Sequence, residues 1–467
     1  MSAAVLGAAL PASCAREAAA PARVQVRPCA ADAGPAFGGA ECGSVRVYEN
    51  RAARTGRTID VAFARWRATS AAASGALMLL AGGPGASGSD VAFDVDGWAR
   101  PLRSSTDIVV VDQRGTGLSN ALDCPADVET SPASSFGHLF DDASLGRCRA
   151  ALESRADLRL YTSNDAADDL DDVRAALGYE KVSLYGGSYG TRLAQVYMRR
   201  FPERVRAVVL DGVMPLDIKA PLTYAATAQG ALDRIIAACD TSAACRADHP
   251  SLAADTRALL DRLASGPVAT SVTPAGRTPV PVAMSRGDLG YALRGIMYGA
   301  DAERTLPDLI ARAAATGDLS ALAQRYWRRA VFFDGGAFAT GLHLSVLCGE
   351  DVAFIRDADV DPATAHTFLG RYLVDEYRRA CAHWPTASVP AEFAMPVTSA
   401  IPTLLLSGFF DPVTPPAFGD AVAKTLTVSR HVVSPHTAHG SVGGCAADAA
   451  LFVLKTGTLD GAPEVCR

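Results

Sequence analysis

SLYGGSYGTRLAQVY, residues 183–197, changes character half-way along. It opens as an apolar strand, crosses two glycines, and continues with the apolar spacing of a helix. Ser188 stands at the crossing, with Gly186 and Gly190 two residues away on either side. A strand that turns straight into a helix through G-x-S-x-G holds its serine in a strained conformation with the hydroxyl exposed, and the glycines let the two elements approach. The string alone is weak, since it also fits an ordinary turn with a surface serine. Its setting between an apolar strand and an amphipathic helix makes Ser188 a candidate nucleophile.

Working outward, GALMLLAGGPGASGSD (75–90) reads as a buried strand breaking into a glycine-rich loop. TDIVVVDQRGTGLS (106–119) reads as a second buried strand and a turn, and 165–180 as a helix stopped by Gly178. KVSLYG (181–186) is a third strand, 191–205 a helix, and RAVVLDGV (206–213) a fourth strand. Apolar strands alternating with helices indicate a parallel sheet covered on both faces. After about residue 216 the texture becomes Ala/Leu/Arg-rich and helical, with a Pro/Thr/Val-rich interlude at 267–283. Strand–helix alternation returns at 401–440. The expected organisation is therefore a leader over 1–22, a core in two parts over 23–215 and 396–467, and a mainly helical cap inserted over 216–395.

A serine hydroxyl needs a base within hydrogen-bond reach, itself oriented by a carboxylate. Asp411 follows the apolar strand TLLLSG in GFFDPVTPP, at the place where a strand's carboxyl end presents an acid. His439 comes 28 residues later in HTAHGS; His436 competes with it, and Gly440 favours His439 by allowing a tight return loop. Acyl transfer also needs donors for the oxyanion. The backbone N–H of Tyr189 and that of Gly83, in the GGPG loop at 82–85, suit this role. A phosphate cradle is excluded, because no Lys-Ser/Thr follows those glycines.

The chain has 467 residues, 49% hydrophobic and 20% charged, with a net charge of −6. That balance supports a large packed core, and without clustered Lys/Arg no nucleic-acid footprint is expected. No apolar run approaches the length of a membrane span. Of the eleven cysteines, ten form neighbouring couples, 29/42, 124/148, 239/245, 348/381 and 445/466, which suits disulfides in an exported protein. No zinc-ligand spacing or cofactor motif is present, so the chemistry is expected from side chains alone, with no metal and no cofactor. SAAVLGAALPAS (2–13) resembles the end of a secretory signal, and LPASC resembles a lipobox that would make Cys14 a lipid anchor.

GGPGASG, VVVDQRGTGLS, YGGSYGT, LCGED, DPVTPP and the HG at 439–440 together resemble the α/β-hydrolase fold serine exopeptidases, the relatives of proline iminopeptidase. Within them the chain is most similar to secreted bacterial tripeptidyl aminopeptidases, although Ala81 stands where the iminopeptidase loop begins with His. The resemblance implies hydrolysis of peptides near a free N-terminus through an acyl-enzyme on Ser188, with Asp411 and His439 completing the triad. It also implies carboxylates for the substrate's ammonium, and Glu350 and Asp351 in CGED are the candidates. Asp112 and Arg114 are expected to brace the loop beside the oxyanion site, and Trp384 to anchor packing. A carboxylesterase or lipase using the same triad is the alternative.

Overall fold

The most apolar runs of the chain meet as the central strands of one sheet in a computed structural model that describes residues 24–30, 33–70, 75–125, 131–334 and 338–463. The strands are β1 (Arg27–Pro28), β2 (Glu41–Tyr48), β3 (Thr58–Trp66), β4 (Ala76–Leu80), β5 (Asp107–Val111), β6 (Val182–Gly187) and β7 (Val205–Asp211), with β8 (Val268–Val272), β9 (Val280–Met284), β10 (Thr403–Gly408) and β11 (Ser429–Ser434) following. Nine of them form a sheet in the order β1-β2-β3-β5-β4-β6-β7-β10-β11. The run from β5 to β11 is parallel, and β1 to β3 are antiparallel additions at one edge.

Every residue of β4, β5 and β10 is buried, as a sheet covered on both faces requires. The two faces divide by the two-residue period of a strand. Met78, Leu80, Val109 and Val111 enter one hydrophobic cluster, while Leu77, Leu79, Ile108 and Val110 enter another on the opposite side. Each such side chain contributes about 1.5–3 kcal/mol by leaving water. The structure has the α/β-hydrolase fold that the sequence points to.

The edge strands β2 and β3 are an addition to the sequence reading. Their alternating apolar residues, Val45 and Val47 against Val61 and Phe63, carry the signal of half-buried strands. The helix expected over 191–205 ends at Arg200, because Pro202 follows Phe201 and the residue before a proline leaves the helical region. The helix expected over 165–180 is Ser163–Ala176.

The chain leaves the sheet after β7 and rejoins it at β10. Between them lie the helices Tyr224–Thr241, Leu252–Ala264, Arg286–Ile296, Ala302–Thr316 and Ser320–Asp334, which share a hydrophobic core of their own. The Pro/Thr/Val-rich interlude is the hairpin β8–β9. Helices Thr340–Glu350 and Tyr372–Ala382 then return the chain towards the sheet.

Disulfides join Cys29 to Cys42, Cys124 to Cys148, Cys239 to Cys245 and Cys348 to Cys381, four of the expected couples. Cys445 is also disulfide-bonded. Its expected partner Cys466 lies outside the described residues, as do the expected leader and Cys14. No helix among the described residues is long and apolar enough to cross a membrane. The Cys348–Cys381 bond closes the longest of the four loops, with a sequence separation of 33. Replacing both cysteines by serine should lower unfolding free energy by about 2–4 kcal/mol, read by denaturant titration under oxidising conditions; a loss no larger than in reduced wild type is the expected control.

Candidate active site

Ser188 has φ 55° and ψ −120°, a backbone conformation that L residues seldom adopt. Three elements hold it there. Its N–H donates to the carbonyl of Asp211 at 2.8 Å, and its own carbonyl accepts from the N–H and the hydroxyl of Thr191, at 2.9 and 2.6 Å. Thr191 is fixed in turn by the N–H of Met214. A side chain on Gly186 would collide with the carbonyl of Gly190, and one on Gly190 with the carbonyl of Leu80 in β4. The two glycines of the motif are thus required by the close passage of strand, turn and helix.

Asp411 emerges just beyond β10 and is wholly buried. Its Oδ1 accepts from the N–H groups of Val413 and Thr414, at 2.7 and 2.9 Å. Its Oδ2 accepts from the Thr414 hydroxyl at 2.7 Å and lies 2.8 Å from Nδ1 of His439. Burial works to raise the carboxyl pKa, but His439 and these hydrogen bonds outweigh it and hold the group below its ordinary range. Burial likewise works to lower the pKa of His439; the Asp411 charge and hydrogen bond prevail and push it up to about 9. With Nδ1–H given to Asp411, Nε2 is the nitrogen left available.

The loop carrying His439 is held by Asp211, at the end of β7. The Asp211 carboxylate accepts from the N–H and hydroxyl of Ser441, at 2.8 and 2.6 Å, from the N–H of Val442 at 3.0 Å and from the hydroxyl of Tyr185 at 2.9 Å. The imidazole lies close over Gly212, where a Cβ would stand 3.3 Å from Cε1. Its edge meets the ring of Tyr298, with centroids 5.0 Å apart. His436, the competing base, has a side chain 81% exposed and stands 3.9 Å from Glu303.

Ser188, His439, Gly83 and Tyr189 line one cavity of about 500 Å³, roofed by Tyr224, Tyr291, Tyr298 and Tyr377. Tyr189 opens the helix Tyr189–Arg200, where a backbone N–H has no intrahelical acceptor. Gly83 is exposed at the cavity. The loop bearing it is fastened to the helix Thr340–Glu350. The N–H of Ala339 donates to the carbonyl of Gly85 at 2.9 Å, and Nδ1–H of His343 to that of Pro84 at 2.9 Å. Burial pushes His343 down to about 4, so its ring is neutral, and Nε2 accepts from the Tyr377 hydroxyl at 2.7 Å.

The acidic pair is placed differently from the sequence expectation. Glu350 does not line the cavity; its carboxylate accepts from the N–H and the hydroxyl of Ser163, at 2.6 and 2.8 Å, and Ser163 in turn contacts the Tyr189 hydroxyl. Burial pushes Glu350 up to about 7, against the opposing charge of Arg192. Asp351 does line the cavity, but both its oxygens meet Arg192, at 2.7 and 2.9 Å. Glu350 is thereby corrected from a substrate contact to a brace behind the elbow helix, and Asp351 is half of a neutral pair.

Asp112 accepts from the N–H groups of Gly88 and Leu118, which ties the turn after β5 to the glycine-rich loop. Arg114 serves elsewhere: it is fully buried against Asp169, at 2.6 and 2.8 Å. Trp384 is packed away, its indole N–H on the Ser345 hydroxyl. Thr414, Asp211, Arg192 and His343 were not read from the sequence. Asp211 had a signal, an acid ending an apolar strand, and so did Thr414, a hydroxyl between the prolines of DPVTPP. His343 had none.

The α/β hydrolase fold family matches residues 75–287, and a TAP-like protein family matches 366–466. Serine protease Hip1 of Mycobacterium tuberculosis is 28% identical over 416 residues, covering 83% of this chain and 79% of that protein. Tripeptidyl aminopeptidase of Streptomyces lividans is 33% identical over 190 residues, 37% of this chain and 35% of that one. The solved proline iminopeptidase of Mycobacterium smegmatis is 16% identical over 85% of this chain and 91% of its own, with a TM-score of 0.39.

Two outcomes follow from this geometry. With p-nitrophenyl acetate as substrate, His439→Ala should lose about 10³-fold or more in kcat, whereas His436→Ala should keep wild-type rates; the reverse result would reassign the base. A base acts when neutral, so kcat/KM should rise about tenfold per pH unit below the His439 pKa and level off above about 9. A flat profile between pH 6 and 8 would contradict it.

Proposed function

We propose that this α/β hydrolase, whose relatives include bacterial serine peptidases, is an aminopeptidase of the tripeptidyl or prolyl type, cleaving peptide bonds near a free N-terminus. The observation that carries the reading is the convergence of Ser188, from the turn after β6, with the hydrogen-bonded Asp411–His439 pair, from beyond β10 and β11, on one roofed cavity.

In this reading Ser188 Oγ attacks the scissile carbonyl while its proton passes to Nε2 of His439. Asp411 keeps the ring oriented and stabilises the imidazolium that forms. The oxyanion takes hydrogen bonds from the N–H groups of Gly83 and Tyr189, each worth about 3–4 kcal/mol to the transition state. The imidazolium then returns the proton to the leaving amine. That leaves an ester on Ser188, and water activated by the same base hydrolyses it. No metal or cofactor enters any of these steps.

The roof over the cavity supports a preference for chain ends. The substrate's ammonium needs a carboxylate, and those lining the cavity are Asp351 and Asp90. Asp351 is already paired with Arg192, whereas Asp90 is half-exposed and, among the described residues, accepts only from the N–H and hydroxyl of Ser87, at 2.7 and 3.0 Å. Asp90 is therefore the better placed acceptor in this proposal, with Asp351 behind it. The neutralised Asp351 is also the observation that favours the second reading, a carboxylesterase with the same triad. The disulfides support export to an oxidising compartment.

The deciding comparison is Ala-Ala-Ala p-nitroanilide with a free or an acetylated N-terminus. We expect kcat/KM for the free form to be at least about 100-fold higher, as for a desolvated charge left unpaired; equal rates would overturn the aminopeptidase reading and favour the esterase. Ser188→Ala should abolish both turnover and labelling by a fluorophosphonate while leaving the melting temperature in place. Labelling of that variant at another residue would remove Ser188 from the mechanism.

A further inference from the structure

The cavity holds more positive charge than the proposed reaction uses. Arg294, on the helix Arg286–Ile296, lines it at 3% exposure, and Arg329, on the helix Ser320–Asp334, lines it beside Arg294. Both guanidiniums stack on tyrosine rings. Arg294 lies 4.3 Å from the Tyr224 centroid and 5.2 Å from that of Tyr298, while Arg329 lies 4.2 Å from Tyr298 and 5.4 Å from Tyr291. Tyr298 thus meets two cations. Burial would raise its phenol pKa, yet these two charges, with His439, bring it below its ordinary value.

Two other buried guanidiniums face an acid: Arg192 faces Asp351 and Arg114 faces Asp169. Arg294 does not. Among the described residues no carboxylate lies in ion-pair range of it, and its buried Nε has no hydrogen-bond partner. Cation–π contact offsets only part of the cost of burying such a charge. What remains is a fixed, desolvated donor pointing into a cavity, which is what recognition of a carboxylate needs. Tyr298 also touches His439 edge-on, so this donor stands one ring away from the catalytic base.

We propose that Arg294 is a carboxylate-binding subsite, selecting peptides with Asp or Glu in the N-terminal fragment held under the roof. The inference rests on the aminopeptidase reading for the nature of the substrate. The recognised group itself follows from the cavity's charge alone. Aromatic rings on the remaining walls accommodate the neutral parts of such a fragment.

Two arms separate the subsite from the reading. In the first, glutarate is tested as a competitive inhibitor of p-nitrophenyl acetate hydrolysis, which requires only the triad. Inhibition by glutarate, weakened about tenfold or more in Arg294→Gln and largely retained in Arg294→Lys, is expected. Absence of competitive inhibition in wild type overturns the subsite whatever peptides do. In the second, Ala-Ala-Ala, Ala-Ala-Glu, Ala-Glu-Ala and Glu-Ala-Ala anilides are compared with their Gln counterparts. A Glu/Gln ratio in kcat/KM of about ten or more in at least one position, falling towards one in Arg294→Gln, supports the proposal. Cleavage of all with ratios near one overturns it while leaving the aminopeptidase standing. If no peptide is cleaved but glutarate still inhibits, the aminopeptidase reading fails and the subsite survives. Melting curves of both variants show whether a lost ratio reflects a lost fold.

Discussion

The carbonyl of Leu80 passes so close to Gly190 that no side chain fits between them. That contact fixes the distance between β4 and the helix after β6, and with it the sharp corner on which Ser188 stands. The corner is maintained by groups from three directions: the Asp211 carbonyl from β7, Thr191 from the elbow helix, and the paired strands themselves. Because β4 also ends in the loop bearing Gly83, the same approach sets the serine and that loop in one frame. The strained backbone at Ser188 costs on the order of 1–3 kcal/mol, small beside the burial of the apolar strands that hold it.

A second constraint is electrostatic. Four of the acids at or behind the site each meet a different partner: Asp411 its histidine, Asp211 the histidine loop, Asp351 an arginine, and Glu350 a serine behind the elbow helix. Of these four, Asp411 alone is hydrogen-bonded to the imidazole of His439. The others hold backbone and charge in place around the site. Removing any one of them leaves a buried partner unsatisfied, and the cost falls on geometry rather than on chemistry.

What was legible in the sequence follows from the range of the interactions concerned. The elbow, the acid after an apolar strand and the histidine before a glycine are local patterns, each readable within a dozen residues. The glycine-rich loop at 82–85 is legible as the break after a buried strand, and Gly83 lies at the cavity. The role of Glu350 was misread because its neighbours in sequence, Cys348 and Asp351, say nothing of Ser163, which reaches it from 187 residues away. Arg192 and Asp351 pair across 159 residues, and neither spacing nor composition announces such a contact. The helical cap was legible as texture only. Its hairpin β8–β9 and the stacking of Arg294 and Arg329 on tyrosines depend on packing between elements whose mutual placement no periodicity encodes.

The helix Thr340–Glu350 grips the oxyanion loop through Ala339 and His343, while its far end is stitched to Tyr372–Ala382 by the Cys348–Cys381 bond. Two carbonyls of the glycine-rich loop, those of Gly85 and Pro84, thus depend on a helix that also lines the cavity through His343 and Leu347. The wall of the cavity and the loop bearing Gly83 are therefore one piece of construction, so the placement of either is inherited by the other.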